Sequence, residues 1–442
     1  MRRILKNPLA AAAIMLLAVV VLAAACAPAA APTPTPTKAA PAPTTAAAPA
    51  ATPTTAAAPK VEATKPAATA TTAPPKAAAK NVKVCYLSPL SGPVASLGLP
   101  QSIAAKLAEE DINKTGVNGS KWEVLTKDSP FDAQQAVTLF RQCAGGDQAF
   151  VVFGPYSSGE FDQAAPLSSD LKLPVVGTTT TKVAAAKGMP YAFRMSIPDD
   201  LSVEAAVKAY RKAYPNVKKV AIISDVKEAV VEPVTKEWFP KYLKESGFEV
   251  VGTSEFTRGM TDMSAVVTKA KGMNAEGLAV DGLPQEWTIL AKELARQGLK
   301  VPTVMAAHSW PGNSVFTVKD DVEGWIAPAF FQEDLPGADV QAWVKRFHVV
   351  GDADAKIPKP VYASVDAQLY DAMMAVADIM RKAGVNGDTP LQQARDAVRT
   401  GLETLKDYKG IVRSYTMDKD LHDAAGAVYP VVAKSGRWEL IK

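Results

Sequence analysis

Two short segments of the predicted folded region are rich in hydroxyl side chains, and each segment follows a run of apolar residues. The first run, 150–153, ends at Gly154-Pro155, and residues 160–165 beyond it have the pattern of a helix start. Free backbone N–H groups and the positive end of the helix dipole suit a small anion such as a carboxylate. The candidate ligand-binding residues of the two segments are Tyr156, Ser157, Ser158, Thr179, Thr180 and Thr181. A plain strand–helix loop with serine caps is the alternative interpretation of the first segment.

The residues that could support catalysis are not arranged for it. The sequence contains no GxSxG elbow, no P-loop and no HExxH motif. If Ser158 were a nucleophile, only His308 could be its base, and His308 belongs to a different part of the chain. His348 and His422 are expected at the surface. We therefore predict a protein that is not an enzyme and that needs no cofactor or metal.

Short apolar strands alternate with amphipathic helices through the first half of the folded region. The predicted strands are 82–87, 122–126, 150–153 and 174–176, with a helix between each pair. This alternation predicts a parallel, doubly wound sheet. Ligands of such sheets bind outside the carboxyl ends of the strands, which is where both hydroxyl segments lie.

The same alternation resumes after Asp199-Asp200 and continues to residue 305, which predicts a second α/β lobe. A long helix at 363–383 and a shorter one that begins at 391 follow. Segments 409–417 and 428–441 are predicted to be closing strands.

The N-terminus has the layout of an export signal. Basic residues precede an uninterrupted apolar stretch at 9–25, and small residues lead into Cys26. A cysteine in this place is typical of a lipoprotein signal, in which Cys26 is lipidated; an uncleaved membrane anchor is the alternative. We therefore predict a signal peptide at 1–26 and a disordered tether, rich in Ala, Pro and Thr, at 27–80.

The net charge limits which partners the protein could bind, and the cysteine content bears on the redox state of its compartment. The net charge is +4 without a basic stripe, so nucleic acid is not an expected partner. Beyond Cys26 the chain has only Cys85 and Cys143. A disulfide in an oxidising compartment and two buried free thiols both remain open.

Several motifs of the folded part form a specific set when their order and spacing are taken together. These motifs are Pro89-Leu90-Ser91-Gly92-Pro93 with Gly98, 108–113, Phe193-Arg194, 259–264 with Thr261-Asp262, Gly298, Tyr370-Asp371-Ala372 and Gly410. With them the folded part, about residues 82–442, resembles the branched-chain amino-acid-binding type of periplasmic binding protein, the solute receptors of ABC importers.

The resemblance implies the type I periplasmic binding protein fold, with two doubly wound parallel-sheet lobes joined by a three-crossing hinge. The crossings would fall near Asp200, Ala329 and Gly410, which places 81–200 plus 330–409 in lobe I and 201–329 plus 410–442 in lobe II. Closure of the lobes would trap the ligand between them. The protein would be a monomer, held on the outer face of the cell membrane by its lipid anchor, and would deliver its ligand to importer permease subunits.

The resemblance also assigns the ligand groups. A ligand carboxylate would be held by Ser158 and by groups of Thr179 and Thr181. Relatives bind the ammonium of the ligand with a tyrosine followed by a glycine, where this chain has Ala229-Val230. They also use an acidic residue, where this chain has His308. A further aromatic residue of the relatives corresponds to about Leu283.

An ammonium group needs a carboxylate or an aromatic cage. We therefore predict a carboxylate- or amide-bearing ligand without an α-amino group, whose other end faces His308, Ser309 and Trp310. Asp225 and Asp281 are nearby acids that would argue for an amino acid. A receptor for branched-chain or other amino acids, a sensor for a separate signalling partner, and a purely structural surface lipoprotein are the alternatives.

Overall fold

The computed structural model describes residues 79–228, 231–309, 312–424 and 426–441. The predicted signal peptide, Cys26 and all but the last two residues of the predicted tether lie outside the described residues, as do Ala229-Val230 and Trp310. Among the described residues, no helix is both long enough and apolar enough to span a membrane.

The first lobe contains a sheet of five strands in the order β2-β1-β3-β4-β5, and all of its strand pairs are parallel. Its central strands are mostly apolar and buried because helices cover both faces of the sheet; exposed Lys83 of β1 is the exception. The strands are β1 Val82–Ser88, β2 Trp122–Asp128, β3 Val152–Phe153, β4 Val175–Gly177 and β5 Ala192–Arg194. The helices between them are α1 Ala95–Thr115, α2 Ala133–Gly145 and α3 Ser158–Asp170.

The second lobe contains a sheet of seven strands in the order β14-β13-β10-β9-β8-β6-β7. Strands β6 to β10 pair in parallel, and the last two strands are antiparallel. The strands are β6 Lys219–Asp225, β7 Glu249–Phe256, β8 Gly277–Asp281, β9 Thr303–Met305, β10 Ile326–Ala329, β13 Tyr429–Lys434 and β14 Arg437–Leu440. The helices are α4 Asp199–Ala213, a π-helical turn Val234–Trp238 continued by α5 Phe239–Glu245, α6 Ser264–Gly272, α7 Pro284–Arg296 and the short α8 Val315–Val318.

Three later helices return to the first lobe. They are α9 Ala338–Ala353, α10 Asp366–Lys382 and α11 Leu391–Glu403. The apolar face of α10 packs into the same core as β1 and β3, and α9 packs against α1. Helix α9 was not among the predicted elements. The two-lobed α/β fold itself is confirmed.

The chain passes three times between the two sheets. It leaves β5 for α4, which packs on the second sheet through Val203 and Ala206, and it leaves β10 for Phe331, which packs with Ile103 of α1. The third passage lies between Ala424 and β13, because residues up to Ala424 still pack in the core of the first sheet. The predicted boundary at Gly410 therefore comes too early.

Long-range hydrogen bonds explain why residues 411–424 stay with the first lobe. Asp371 of α10 accepts the backbone N–H groups of Ile411 and Val412 and the hydroxyl of Tyr415. Arg194 of β5 forms a buried bidentate ion pair with Asp423. Instead of one long strand, the segment that begins at 409 forms a small hairpin, β11 Tyr408–Lys409 with β12 Ser414–Tyr415.

One apolar residue from each of the three passages meets in a small cluster. Ile197, Phe330 and Val428 pack together with Ala307 and Val365. The hinge therefore has its own apolar core, which holds the passages side by side next to the carboxyl ends of both sheets.

A disulfide joins Cys85 of β1 to Cys143 of α2. Of the two alternatives that the sequence left open, the structure contains the disulfide.

Candidate ligand-binding site

A cavity lies between the two lobes, at the carboxyl ends of both sheets. The centre of a water molecule can occupy about 60 Å³ of it. Leu283, Ala307 and His308 line it from the second lobe, and Phe330 and Val365 line it beside the hinge. The first lobe contributes Leu97, Phe131, Tyr156, Ser157, Ser158, Thr179 and Thr181. Most of this lining is apolar or aromatic, with a few convergent polar groups, as is usual for a small-molecule site.

Gly154 allows the serine segment to sit above the sheet. Its φ of 94° is in the left-handed region, and a Cβ at this position would collide with the carbonyl oxygen of Leu87. Only glycine fits this backbone conformation without strain. The turn places Ser157 at the N-terminus of α3, where its hydroxyl accepts the N–H of Glu160 at 3.2 Å and completes a capping box.

Ser158 is the centre of a hydroxyl cluster. Its Oγ accepts hydrogen bonds from Thr180 Oγ1 at 3.0 Å, from Thr181 N–H at 3.1 Å and from Lys182 N–H at 3.3 Å. These donors occupy the lone pairs of the oxygen, so the hydroxyl proton of Ser158 can be donated into the cavity. The predicted neighbourhood of the serine and threonine segments is therefore present in the structure.

The remaining hydroxyl residues support this arrangement. Thr179 donates to the carbonyl oxygen of Tyr156 at 2.7 Å and lines the cavity. Thr180 is buried and acts through Ser158 instead of lining the cavity. Burial, and after it the charge of Asp366, raises the pKa of Tyr156, so its phenol is neutral at the cavity wall.

His308 faces this cluster from the second lobe. It lies in the 3-10 turn Ala307–Ser309, and its Nε2 is 2.8 Å from Thr181 Oγ1. This hydrogen bond joins the two lobes directly across the cavity. The other ring nitrogen, Nδ1, is 3.0 Å from Asp281 Oδ2 at the end of β8.

Asp199 is a second acid beside His308, and its Oδ1 lies 3.5 Å from His308 Nε2. Burial lowers the pKa of His308, but attraction to Asp199 and Asp281 outweighs it and raises the pKa to about 9. Burial raises the pKa of Asp199 to about 7, against the opposing charge of His308. His308 is therefore an imidazolium at neutral pH, held between two carboxyl groups.

The other predicted site residues lie elsewhere. Asp225 does not line the cavity; its Oδ1 accepts the backbone N–H groups of Lys227 at 2.9 Å and Glu228 at 3.2 Å, so it holds its own loop. Asp281 is not among the lining residues either and acts through His308. Leu283, expected near an aromatic position, does line the cavity.

Sequence reasoning missed the apolar wall and one of the acids. Phe131 and Val365 come from loops, Phe330 comes from the hinge, and Leu97 lies in the first turn of α1; at these places no periodic pattern marks a residue as facing a ligand. Asp199 stands at the start of α4, and nothing local distinguishes it from a helix-terminal acid.

Comparisons with known proteins agree with this architecture. A family model described as periplasmic binding protein matches residues 81–437. The leucine-, isoleucine-, valine-, threonine- and alanine-binding protein of Pseudomonas aeruginosa is 28% identical over 263 residues, which are 58% of this chain and 69% of that protein. A Leu/Ile/Val-binding protein homolog of Brucella melitensis is 30% identical over 229 residues, 51% of this chain and 60% of the relative. The match thus spans about three fifths of the second relative's length.

Solved structures share the fold. The branched-chain amino acid transporter substrate binding protein LivJ from Streptococcus pneumoniae, in complex with isoleucine, has a TM-score of 0.69 at 21% identity and covers 82% of this chain and 99% of its own. An ABC transporter solute binding protein from R. palustris, in complex with 4-hydroxybenzoate, has a TM-score of 0.71 at 17% identity. The match covers 82% of this chain and 95% of that protein.

Members of this family are extracytoplasmic solute receptors of transporters and not enzymes, which confirms the prediction that the chain has no catalytic role. The match of the family model over nearly all of the folded part, together with two lobes that enclose a cavity, shows that this chain belongs to the periplasmic binding protein family.

Proposed function

We propose that this chain is a lipoprotein that captures a small carboxylate- or amide-bearing solute without an α-amino group and delivers it to an ABC importer. The observation that carries the proposal is the arrangement of Ser158, Thr181 and His308 around one cavity. A hydroxyl donor from one lobe and an imidazolium from the other converge there. Both groups favour an oxygen anion.

The apolar wall supports an organic acid as the solute. Beyond the polar groups, the cavity is lined by Leu97, Phe131, Leu283, Phe330 and Val365. Such a wall gains free energy by burying a hydrocarbon or aromatic body, at about 25 cal/mol per Å² of apolar surface. The relatives include proteins that, by their names, bind 4-hydroxybenzoate or benzoate, and others that bind leucine or isoleucine.

A receptor for amino acids is the second candidate, and one observation favours it. Within the described residues, Asp199 Oδ1 is buried and accepts no hydrogen bond. An ammonium group could be its partner. Against this candidate, neither Asp199 nor Asp281 is among the described residues that line the cavity, and both acids already lie within 3.5 Å of His308.

A panel of ligands measured by thermal shift tests the proposal. It should include leucine, valine, benzoate, 4-hydroxybenzoate, a dicarboxylate and a simple amide. A ligand present at 100 times its Kd adds about 2.7 kcal/mol to the free energy of unfolding, which is easily seen as a rise in Tm. We expect the organic acids to raise the Tm; if only leucine or valine does so, the chain is an amino-acid receptor.

The anchor is tested separately. Cells that express the chain are labelled with a clickable fatty acid, and we expect the label on the natural chain and none on the Cys26→Ser variant. Equal labelling of both, or of neither, would contradict lipidation at Cys26.

A further inference from the structure

Three titratable side chains meet on the second-lobe side of the cavity. His308 lies between Asp199, 3.5 Å from Nε2, and Asp281, 3.0 Å from Nδ1. Their side chains are 8%, 3% and 0% exposed, respectively. The described charged groups that act on this cluster from neighbouring elements are Glu228, which favours the charged form of His308, and Arg194, which favours the ionised form of Asp199.

The charges of this cluster do not suit an anionic ligand as they stand. With both carboxyl groups ionised and His308 protonated, the three side chains carry a net charge of −1. The cluster contacts the same Thr181 that, with Ser158, forms the hydroxyl side of the cavity. A ligand carboxylate there would add a second negative charge in a region closed to water, where like charges are poorly screened.

We propose that capture of a carboxylate ligand is accompanied by uptake of one proton, which Asp199 holds. The proposal rests on the proposed function for the charge of the ligand. An O–H bond forms at a carboxyl oxygen of Asp199, and solvent or buffer supplies the proton; release of the ligand returns the proton to solvent. Asp199 is the acceptor because its Oδ1 is buried without a hydrogen bond in the described part of the chain, whereas Asp281 Oδ2 pairs with His308 Nδ1.

The direction of the pH effect follows from this exchange. Burial already raises the pKa of Asp199 to about 7, and a bound carboxylate raises it further. Below about pH 6 the proton is present in both states, so binding takes up almost none; near pH 8 the uptake approaches about one proton. Affinity is therefore greatest at low pH and falls as the pH rises, by up to about tenfold per unit where uptake is complete.

Calorimetry tests the proposal with benzoate as the probe and the full chain as the protein. Titrations at pH 8 in phosphate and in Tris give the number of protons exchanged from the difference in heat. We expect an uptake approaching about one proton for the natural chain and close to none for Asp199→Asn. The matched control is His348→Gln, because His348 pairs with Glu333 at 2.9 Å and neither residue lines the cavity; it should keep the natural uptake.

Three results would overturn the proposal. One is binding of benzoate at pH 8 without proton uptake, and another is the same uptake in Asp199→Asn. If neither benzoate nor another acid of the panel binds, the proposed ligand class fails. The proton site is then decided on the ligand-free chain by NMR of the aspartate carboxyl carbons, in which the signal that Asp199→Asn removes is assigned to Asp199. An NMR titration midpoint near pH 7 for the Asp199 carboxyl would support Asp199 as the proton site. A midpoint near 3.8, the ordinary pKa of an aspartate, is the third result that would overturn the proposal.

Discussion

The two faces of the cavity are built in opposite ways. The first-lobe face is neutral: Ser158, Thr180 and Thr181 form a cluster in which Ser158 Oγ accepts hydrogen bonds from three groups of the threonine loop. The second-lobe face is charged: His308 depends on Asp199 and Asp281, which come from two other elements. Two hydrogen bonds join the faces among these residues: the Thr181 hydroxyl to the His308 ring at 2.8 Å, and the backbone N–H of Asp199 to the carbonyl oxygen of Thr181 at 2.8 Å.

The two faces have different roles in binding: the neutral face orients the ligand carboxylate, and the charged face selects ligands by charge. A neutral hydroxyl cluster keeps its geometry at any ordinary pH and can orient a carboxylate without a change in protonation. A buried imidazolium between two acids adds charge selectivity, but its state depends on pH and on the ligand. Variants of one face should therefore behave differently from variants of the other.

The largest effect is expected for His308→Gln. This change leaves the buried Asp199 and Asp281 without their cation, and breaking such a buried cluster is worth about 3–5 kcal/mol in the free energy of unfolding. Urea unfolding at pH 7 measures it. The matched variant His348→Gln removes a half-buried pair and should lose about 1 kcal/mol or less. Equal losses in both variants would show that the second-lobe cluster contributes no more than a surface pair.

The same cluster predicts a pH dependence of stability. The pKa of His308 is raised to about 9, so its contribution is fully present below pH 6.5 and is lost as the pH rises through 9. The pKa of Asp199 is raised to about 7, so its contribution is lost between about pH 4 and 7. We expect the Tm of the ligand-free chain to fall between pH 7 and 9, and to fall less in His308→Gln. Parallel curves would contradict this account of the charged face.

Ser158→Ala tests the neutral face and should act on binding. Loss of a hydrogen bond to a charged ligand group is worth about 1.5–3 kcal/mol, which weakens affinity about 10- to 150-fold. The control is Ser168→Ala in the same helix, because Ser168 is buried, donates to the carbonyl oxygen of Ala165 and is not among the described residues that line the cavity. Calorimetry with the best ligand of the panel measures both variants. An unchanged Kd in Ser158→Ala would remove the serine from the ligand site.

Thr181→Val tests the side-chain hydrogen bond between the faces. It deletes the 2.8 Å contact to His308 and keeps the volume of the side chain. A hydrogen bond to a charged group such as the His308 imidazolium is worth about 1.5 kcal/mol or more, so we expect affinity to fall about tenfold and the ligand-free chain to open more often. Small-angle X-ray scattering of the ligand-free chain reports opening as a larger radius of gyration. No change in radius or affinity would mean that this bond does not help to close the lobes.

The smallest effect is expected for Asp225→Asn. Asp225 holds the loop after β6 and does not line the cavity, so affinity should change by no more than about twofold. A large loss of affinity would return Asp225 to the ligand site.

The features that could be predicted from the sequence are those that depend on a local residue pattern. The hydroxyl cluster could be predicted because the residues that form it lie within two loops at adjacent strand ends, and parallel strands bring such loops together. The charged face was predicted only in part. His308 and Asp281 could be placed because they come at the ends of strands, whereas Asp199 reaches them only through the packing of α4, which no local pattern reveals. The boundary near Gly410 was wrong because Asp371 and Arg194, both distant in sequence, hold residues 411–424 on the first lobe.

Calorimetry with leucine and 4-methylpentanoate tests the central claim most directly, since these two ligands share one carbon skeleton and differ only by the α-amino group. The cavity offers a hydroxyl cluster and an imidazolium to the carboxylate, and Asp199 and Asp281 hold that imidazolium in place. We predict that 4-methylpentanoate binds more tightly than leucine, by about tenfold or more, because no carboxylate is among the described residues that line the cavity, so the ammonium of leucine would be buried without a direct partner. Tighter binding of leucine would contradict the account and identify Asp199 as the partner of the ammonium.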